Sequence, residues 1–177
     1  MLTDQDYERA AKHLSCPVRR VKAVKTVESR GQGFQTDGQP IILFERHWFH
    51  KLTDGRFDNE PDLSNPKAGG YTNNEHVRLA RASALDRNAA LQSASWGLFQ
   101  IMGFNHKACG FELLQDFINA MYKDEAAHLD AFVEFILFNR PLFNAIRQGD
   151  AKGFARAYNG PNYAQNKYDS KLIAAGF

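Results

Sequence analysis

Pro17-Val18-Arg19-Arg20-Val21-Lys22-Ala23-Val24-Lys25-Thr26-Val27-Glu28-Ser29-Arg30 is the stretch whose reading decides both fold and chemistry. Pro17 suits the start of a helix, and Val18, Val21, Val24 and Val27 recur every third position, making one slowly drifting apolar stripe that must face a core. At about 100° per residue, Glu28 projects between Val21 and Val24, inside that stripe. A carboxyl there is costly: burial disfavours the anion and raises its pKa, and the last turn adds the negative end of the helix dipole. A carboxylic acid still protonated near neutral pH is what a glycosidase uses to protonate a leaving oxygen. The same position also suits a carboxylate that caps the helix or pairs with Arg30 or Arg46 at a cleft edge. Gly31 and Gly33 are expected to end the helix.

Upstream, Thr3 followed by acidic residues reads as an N-cap, with a helix to about Leu14. Downstream the period changes: Thr36-Asp37-Gly38 is turn chemistry and Pro40 to Phe44 a short apolar run, together predicting a small hairpin over residues 33–44. A short aromatic segment, 46–52, precedes a loop over 59–70 that carries Pro61, Pro66 and Gly69-Gly70 and is expected to be mobile. Residues 73–93 read as a helix, and 96–102 as a short buried one. From Phe111 onward the pattern stays helical, with Pro141 in a first turn and Gly149 as a terminator. A helix over 152–158 breaks at Asn159-Gly160-Pro161, and 163–175 is helical again. The fold class is mainly α (α+β), with a small β-hairpin beside a cleft.

The length, 177 residues, predicts a single domain over 1–177. With 22 basic and 20 acidic residues, a net charge of +2 and 44% apolar residues, the chain has the composition of a soluble protein with a sizeable core, which excludes wholesale disorder. So small a net charge argues against nucleic acid as a partner. No membrane span and no signal peptide are read. Cys16 and Cys109 are expected to be buried thiols rather than a disulfide, in keeping with a reducing compartment. His47 and His50 alone do not make a metal site, so neither metal nor other cofactor is expected. A monomer is the default.

Glycosidases usually employ a second carboxylate facing the acid across the sugar, and Glu45, at the end of the apolar run, is the best placed. An ordinary helix-start carboxylate would look the same. Asp37, Asp54 and Asp58 compete less well, because Asp is common in turns for backbone reasons. In Ser93 to Gly103, Gly97 permits close backbone approach and Gln100 must find hydrogen-bond partners, either at a cleft or as a satisfied core amide. Ala157-Tyr158-Asn159-Gly160-Pro161-Asn162-Tyr163 gathers tyrosines and amides of the kind that sugars stack on and bond to, although a plain helix stop explains Asn-Gly-Pro.

Val27-Glu28-Ser29-Arg30, then Ser95-x-Gly97-Leu98-x-Gln100-Ile101, then Ala157-Tyr158-Asn159-Gly160 occur in the order seen in goose-type lysozymes and soluble lytic transglycosylases. With Ile42-Leu43-Phe44-Glu45-Arg46-His47 and the ending Tyr163-Ala164 to Tyr168, the chain resembles more closely the phage endolysin N-acetylmuramidase domain, from about Val18 to Gly176. The resemblance implies a lysozyme-like fold with Glu28 as general acid. It implies that Ser95, Gln100, Tyr158, Asn159 and Tyr163 line a cleft for peptidoglycan glycan strands, with Tyr158 hydrogen-bonding near the acid. Glu45 would stabilise charge or position water. Phe99 departs from the methionine of many relatives, a packing change. The activity implied is hydrolysis of the β-1,4 bond between N-acetylmuramic acid and N-acetylglucosamine. The alternatives are a lytic transglycosylase closing a 1,6-anhydro ring, or a non-catalytic wall-binding module, whose signature would be loss of the acid. The resemblance further implies accumulation in the host bacterial cytoplasm before lysis and action on the wall in the periplasm.

Overall fold

The computed structural model describes residues 1–29 and 32–177, apart from the side chains of Ser29 and Asn162. Arg30, one of the two alternative partners of Glu28, and Gly31, one of the two glycines expected to end the helix, lie outside the described residues.

Helix α1 (Asp4–His13) starts on a reciprocal cap: Thr3 Oγ1 accepts from the Asp6 amide at 3.3 Å and Asp6 Oδ2 accepts from the Thr3 amide at 2.9 Å. Helix α2 (Val18–Ser29) packs Val21 and Val24 wholly out of solvent, so the valine stripe faces the core as its spacing requires. The chain then turns through one bridge, Phe34 to Pro40, and enters β1 (Ile42–Phe44). The expected hairpin over 33–44 is thus reduced to this bridged turn. β1 pairs instead with β2 (Ala94–Trp96), which pairs with β3 (Ile101–Met102), giving a three-stranded antiparallel sheet in the order β1-β2-β3.

The buried helix expected over 96–102 is therefore a β-hairpin with a single 3-10 turn (Gly97–Phe99) at its tip. Its backbone explains why: Gly97 has φ +68° and Gln100 φ +49°, two left-handed residues that no right-handed helix can hold. Gly97 also lies against the His128 ring, 2.7 Å from where a Cβ would stand, so the close approach requires glycine. Across the sheet, Ile42, Phe44, Ala94, Trp96 and Ile101 face the core, while Leu43, Ser95 and Met102 share the opposite, half-open face.

Helix α3 (Arg46–Leu52) follows β1 directly, and α4 (Glu75–Gln92) packs on β1. α4 is kinked at Asp86 (φ −152°, ψ 97°), whose carboxylate restarts it by accepting from the Ala89 amide at 3.0 Å. The helical second half is α5 (Leu114–Lys123), α6 (Glu125–Phe138), α7 (Arg140–Gln148), α8 (Ala151–Asn159) and α9 (Tyr168–Ala174). Pro141 stands in the first turn of α7 and Gly149 (φ +75°) ends it. The helix expected over 163–175 is divided: a 3-10 segment (Pro161–Asn166) and α9 meet at Lys167, whose φ is +50°. Trp96, Phe44, Phe49, Phe99, Phe117, Phe132 and Phe154 are the largest side chains of the core, with Phe99 stacked on Phe132 at 4.2 Å.

The 59–70 loop is not the loose segment expected. Arg46 donates to the carbonyls of Lys67 (2.9 Å), Pro61 (3.0 Å) and Ala68 (3.2 Å), and Arg78 donates to that of Asp62 at 2.5 Å. Leu63 and Ser64 are buried. Prolines and glycines shaped the path of this loop, but distant arginines hold it.

Candidate active site

Glu28 sits in the last turn of α2, which packs on the 3-10 turn of the sheet and on α9. The residue keeps a strip of accessible surface, while its carboxyl is surrounded by protein. Loss of hydration raises that carboxyl from the ordinary 4.5 to about 7, against the opposing pull of the Tyr168 phenol, the Asn159 amide and the charge of Lys171. The Tyr168 hydroxyl donates to Glu28 Oε1, and the Asn159 amide lies near enough to favour the carboxylate form. Burial first, and then the charge of Glu28, hold the Tyr168 phenol far above its usual pKa, so it remains a donor.

Tyr158 does not bond Glu28. Its hydroxyl donates to the Phe99 carbonyl at 2.7 Å, and its ring stacks on Phe154 at 5.3 Å and meets Phe135 edge-on at 5.9 Å. It ties α8 to the tip of the β2–β3 hairpin. Tyr168 holds the position next to the acid that the sequence reading gave to Tyr158. The signal available was its place at the end of the matched segment, ten residues beyond the Tyr158-Asn159 pair.

Ser95 Oγ donates to Gln100 Oε1 at 2.8 Å, and Gln100 Nε2 donates to the carbonyls of Gly97 (2.9 Å) and Ile41 (3.3 Å). Both amide protons of Gln100 are thus spent on backbone, and the Ser95–Gln100 pair fixes the hairpin tip. Asn159 is exposed at the end of α8, and Tyr163 is half-buried against the core from the following 3-10 segment. Tyr163 is not among the described hydrogen-bond partners of Glu28.

Glu45 is the residue before α3, and its amide donates to the Ser93 carbonyl at 2.9 Å. Two residues beyond Leu43, it leaves the sheet on the same half-open face as Ser95. Helix α2 packs on the hairpin tip, whereas Glu45 leaves β1 at the end away from that tip. The Tyr71 hydroxyl stands 3.1 Å from each Glu45 oxygen, and His47 Nδ1 stands 3.1 Å from Oε2 without the angle of a hydrogen bond. Trp48, one turn along α3 from Glu45, packs on Phe104 at 4.6 Å, and Lys51 Nζ lies 4.7 Å from its ring.

Two of the three competing aspartates, Asp37 and Asp58, are engaged structurally. Asp58 accepts from Ser64 at 2.5 Å and pairs with His50 at 2.8 Å, and Asp37 binds Gln39 within its turn. Glu75, which sequence reasoning missed, is buried; it pairs with Arg78 at 2.7 Å and accepts from the amides of Phe44 and Thr72. Such a pair gains nothing by exposure and locks β1, α4 and the 59–74 segment together. Cys16 and Cys109 are free thiols that burial pushes up to about 11 and about 12. Among the described residues no cluster of three or more His, Cys, Asp or Glu could hold a metal, and no helix is long and apolar enough to cross a membrane.

A buried carboxyl raised to about 7 can donate a proton near neutral pH, and Glu45 supplies a second carboxylate at the start of α3. The chain superposes on the crystal structure of a Burkholderia AP3 phage endolysin with a TM-score of 0.88 and 44% identity, covering 98% of this chain and 70% of that one. No curated protein sequence matches. The family model for N-acetylmuramidase matches residues 17–176. The chain therefore belongs to the N-acetylmuramidase family, as a glycoside hydrolase acting on peptidoglycan.

Proposed function

We propose that this protein is a phage-type endolysin whose residues 1–177 act as one monomeric catalytic unit, with Glu28 as general acid in hydrolysis of the β-1,4 bond between N-acetylmuramic acid and N-acetylglucosamine. The observation that carries the reading is the Glu28 carboxyl, held at about 7 by burial yet bonded by Tyr168, with the Asn159 amide nearby. At neutral pH a large fraction is protonated and can deliver its proton to the glycosidic oxygen as oxocarbenium character develops. Tyr168 and Asn159 then receive the carboxylate that forms, with donors already in place.

Glu45 is assigned as the second carboxylate, which either stabilises the developing positive charge or activates water. Asn159 and Tyr163 are assigned to glycan binding, and Ser95, Gln100 and Tyr158 to the shape of the hairpin tip beneath it. The likeness to a phage endolysin also supports accumulation in the host cytoplasm before lysis, followed by action on the wall in the periplasm.

The test is mass spectrometry of fragments released from isolated peptidoglycan by the wild type and by Glu28→Gln. Reducing-end N-acetylmuramic acid from the wild type, with nearly all turnover lost in the variant, is the expected result. Anhydro-muramyl products would reassign the chemistry to transglycosylation, and an active Glu28→Gln would remove the acid from Glu28.

A further inference from the structure

We propose that Tyr71 is a positioning residue for Glu45, presented by a segment strapped in place for that purpose; this rests on the reading of Glu45 as the second carboxylate. The phenol oxygen of Tyr71 is 3.1 Å from Oε1 and 3.1 Å from Oε2, so a single O–H is shared by both carboxylate oxygens and fixes the plane of the group. No other side chain bonds Glu45 with hydrogen-bond geometry among the described residues; His47 comes to 3.1 Å but at the wrong angle. Without Tyr71, the carboxylate would turn freely about its last torsion, and a charge-stabilising or water-positioning group loses efficiency when its oxygens wander.

The segment that delivers Tyr71 has no regular structure, so its accuracy must come from outside. Arg46, the residue next to Glu45, supplies it: three of its donors grip the carbonyl of Pro61 and those of Lys67 and Ala68, the last two just before Tyr71. Gly70 (φ +75°) then runs so close that a Cβ there would stand 2.9 Å from Arg46 Nη1. Beyond Tyr71, the Thr72 amide donates to buried Glu75 at 2.6 Å, and Glu75 also accepts from the Phe44 amide immediately before Glu45. Tyr71 is thus pinned on both sides to the two residues that flank Glu45. Its ring is half-exposed, which is unusual for an aromatic side chain with only a packing role. Burial and the Glu45 charge hold the phenol at about 12, so it carries its proton wherever the enzyme works.

Tyr71→Phe removes only the hydroxyl and should leave the melting temperature within a degree or two. On a soluble glycan-chain substrate, kcat should fall about tenfold with KM unchanged, because the contact acts on Glu45 rather than on the sugar. In a Glu45→Gln background the same change should add little further loss, since the two substitutions disable one unit. A rise in KM at constant kcat would overturn the proposal by making Tyr71 a sugar contact, and losses that multiply independently would overturn it too. If Glu45→Gln itself keeps full activity, the Glu45 reading fails. If Glu45→Gln is impaired while Tyr71→Phe matches the wild type, only the Tyr71 inference fails.

Discussion

Replacing Glu28 by glutamine should stabilise the protein while disabling it, and the stabilisation should appear only above acidic pH. Folding moves this carboxyl from 4.5 to about 7 because burial strips its hydration more than Tyr168, Asn159 and Lys171 restore it. Between those values the native state holds a proton that the unfolded chain has released, so stability falls as pH rises from 4.5 toward 7. At ~1.4 kcal/mol per pH unit, the full displacement corresponds to about 3 kcal/mol that the wild type forfeits above neutrality. Glutamine never ionises, fills the same space and can accept the Tyr168 hydrogen bond through its oxygen. The stability gap between the two proteins should therefore change by about 3 kcal/mol between pH 4.5 and pH 8, in favour of the variant. For a chain of this size that is roughly 6–12 °C in melting temperature. Urea titrations of both proteins at half-unit pH intervals give the gap directly. Curves that run parallel over the whole range would refute the buried-acid account, whatever the activity data show.

Two further outcomes follow from named contacts. Tyr168→Phe removes a donor to the charged form of Glu28, so the alkaline limb of kcat/KM should move up by about one pH unit, given the ~1.5–3 kcal/mol usual for hydrogen bonds to charged groups and some compensation from water. A pH–rate profile with an unmoved alkaline limb would dissociate Tyr168 from the acid. Arg46→Ala releases three carbonyls of the 59–70 segment at ~0.5–1.5 kcal/mol each, less what water recovers, so about 2 kcal/mol of stability should go. Limited proteolysis should then cut first between Asn65 and Gly70, and continued resistance there would show that Arg78 and Arg81 suffice.

What the sequence discloses is uneven, for physical reasons. Helices carry local signals: the Thr3 cap, the valine stripe of α2, Pro141 and Gly149 each act within a few residues and are readable without the rest of the chain. Glu28 is legible because a carboxyl inside an apolar stripe conflicts with its surroundings. The sheet is barely legible, since strands of two or three residues have no room for alternation, and β1 finds its partner about fifty residues away. The 94–102 run looked helical because its apolar residues crowd together, whereas two left-handed residues, one of them a non-glycine, set its path. Arg46, Glu75, Tyr71 and Tyr168 stayed hidden as site-builders because each acts across a long stretch of chain. The one signal near Tyr168 is its place at the end of the matched segment, and only the fold brings it, rather than Tyr163 or Tyr158, to Glu28.

The hydrogen bond from Tyr168 to Glu28 spans 140 residues, and Asn159 reaches the same carboxyl from nearly as far along the chain. Synthesis proceeds from the N-terminus, so α2 and its carboxyl leave the ribosome long before α8 and α9 exist. Until those helices dock, Glu28 is an ordinary solvated carboxylate with an ordinary acidity, unable to hold its proton at neutral pH. The raised pKa of Glu28 therefore depends on α8 and α9 having docked, and a molecule in which those helices fray loses it.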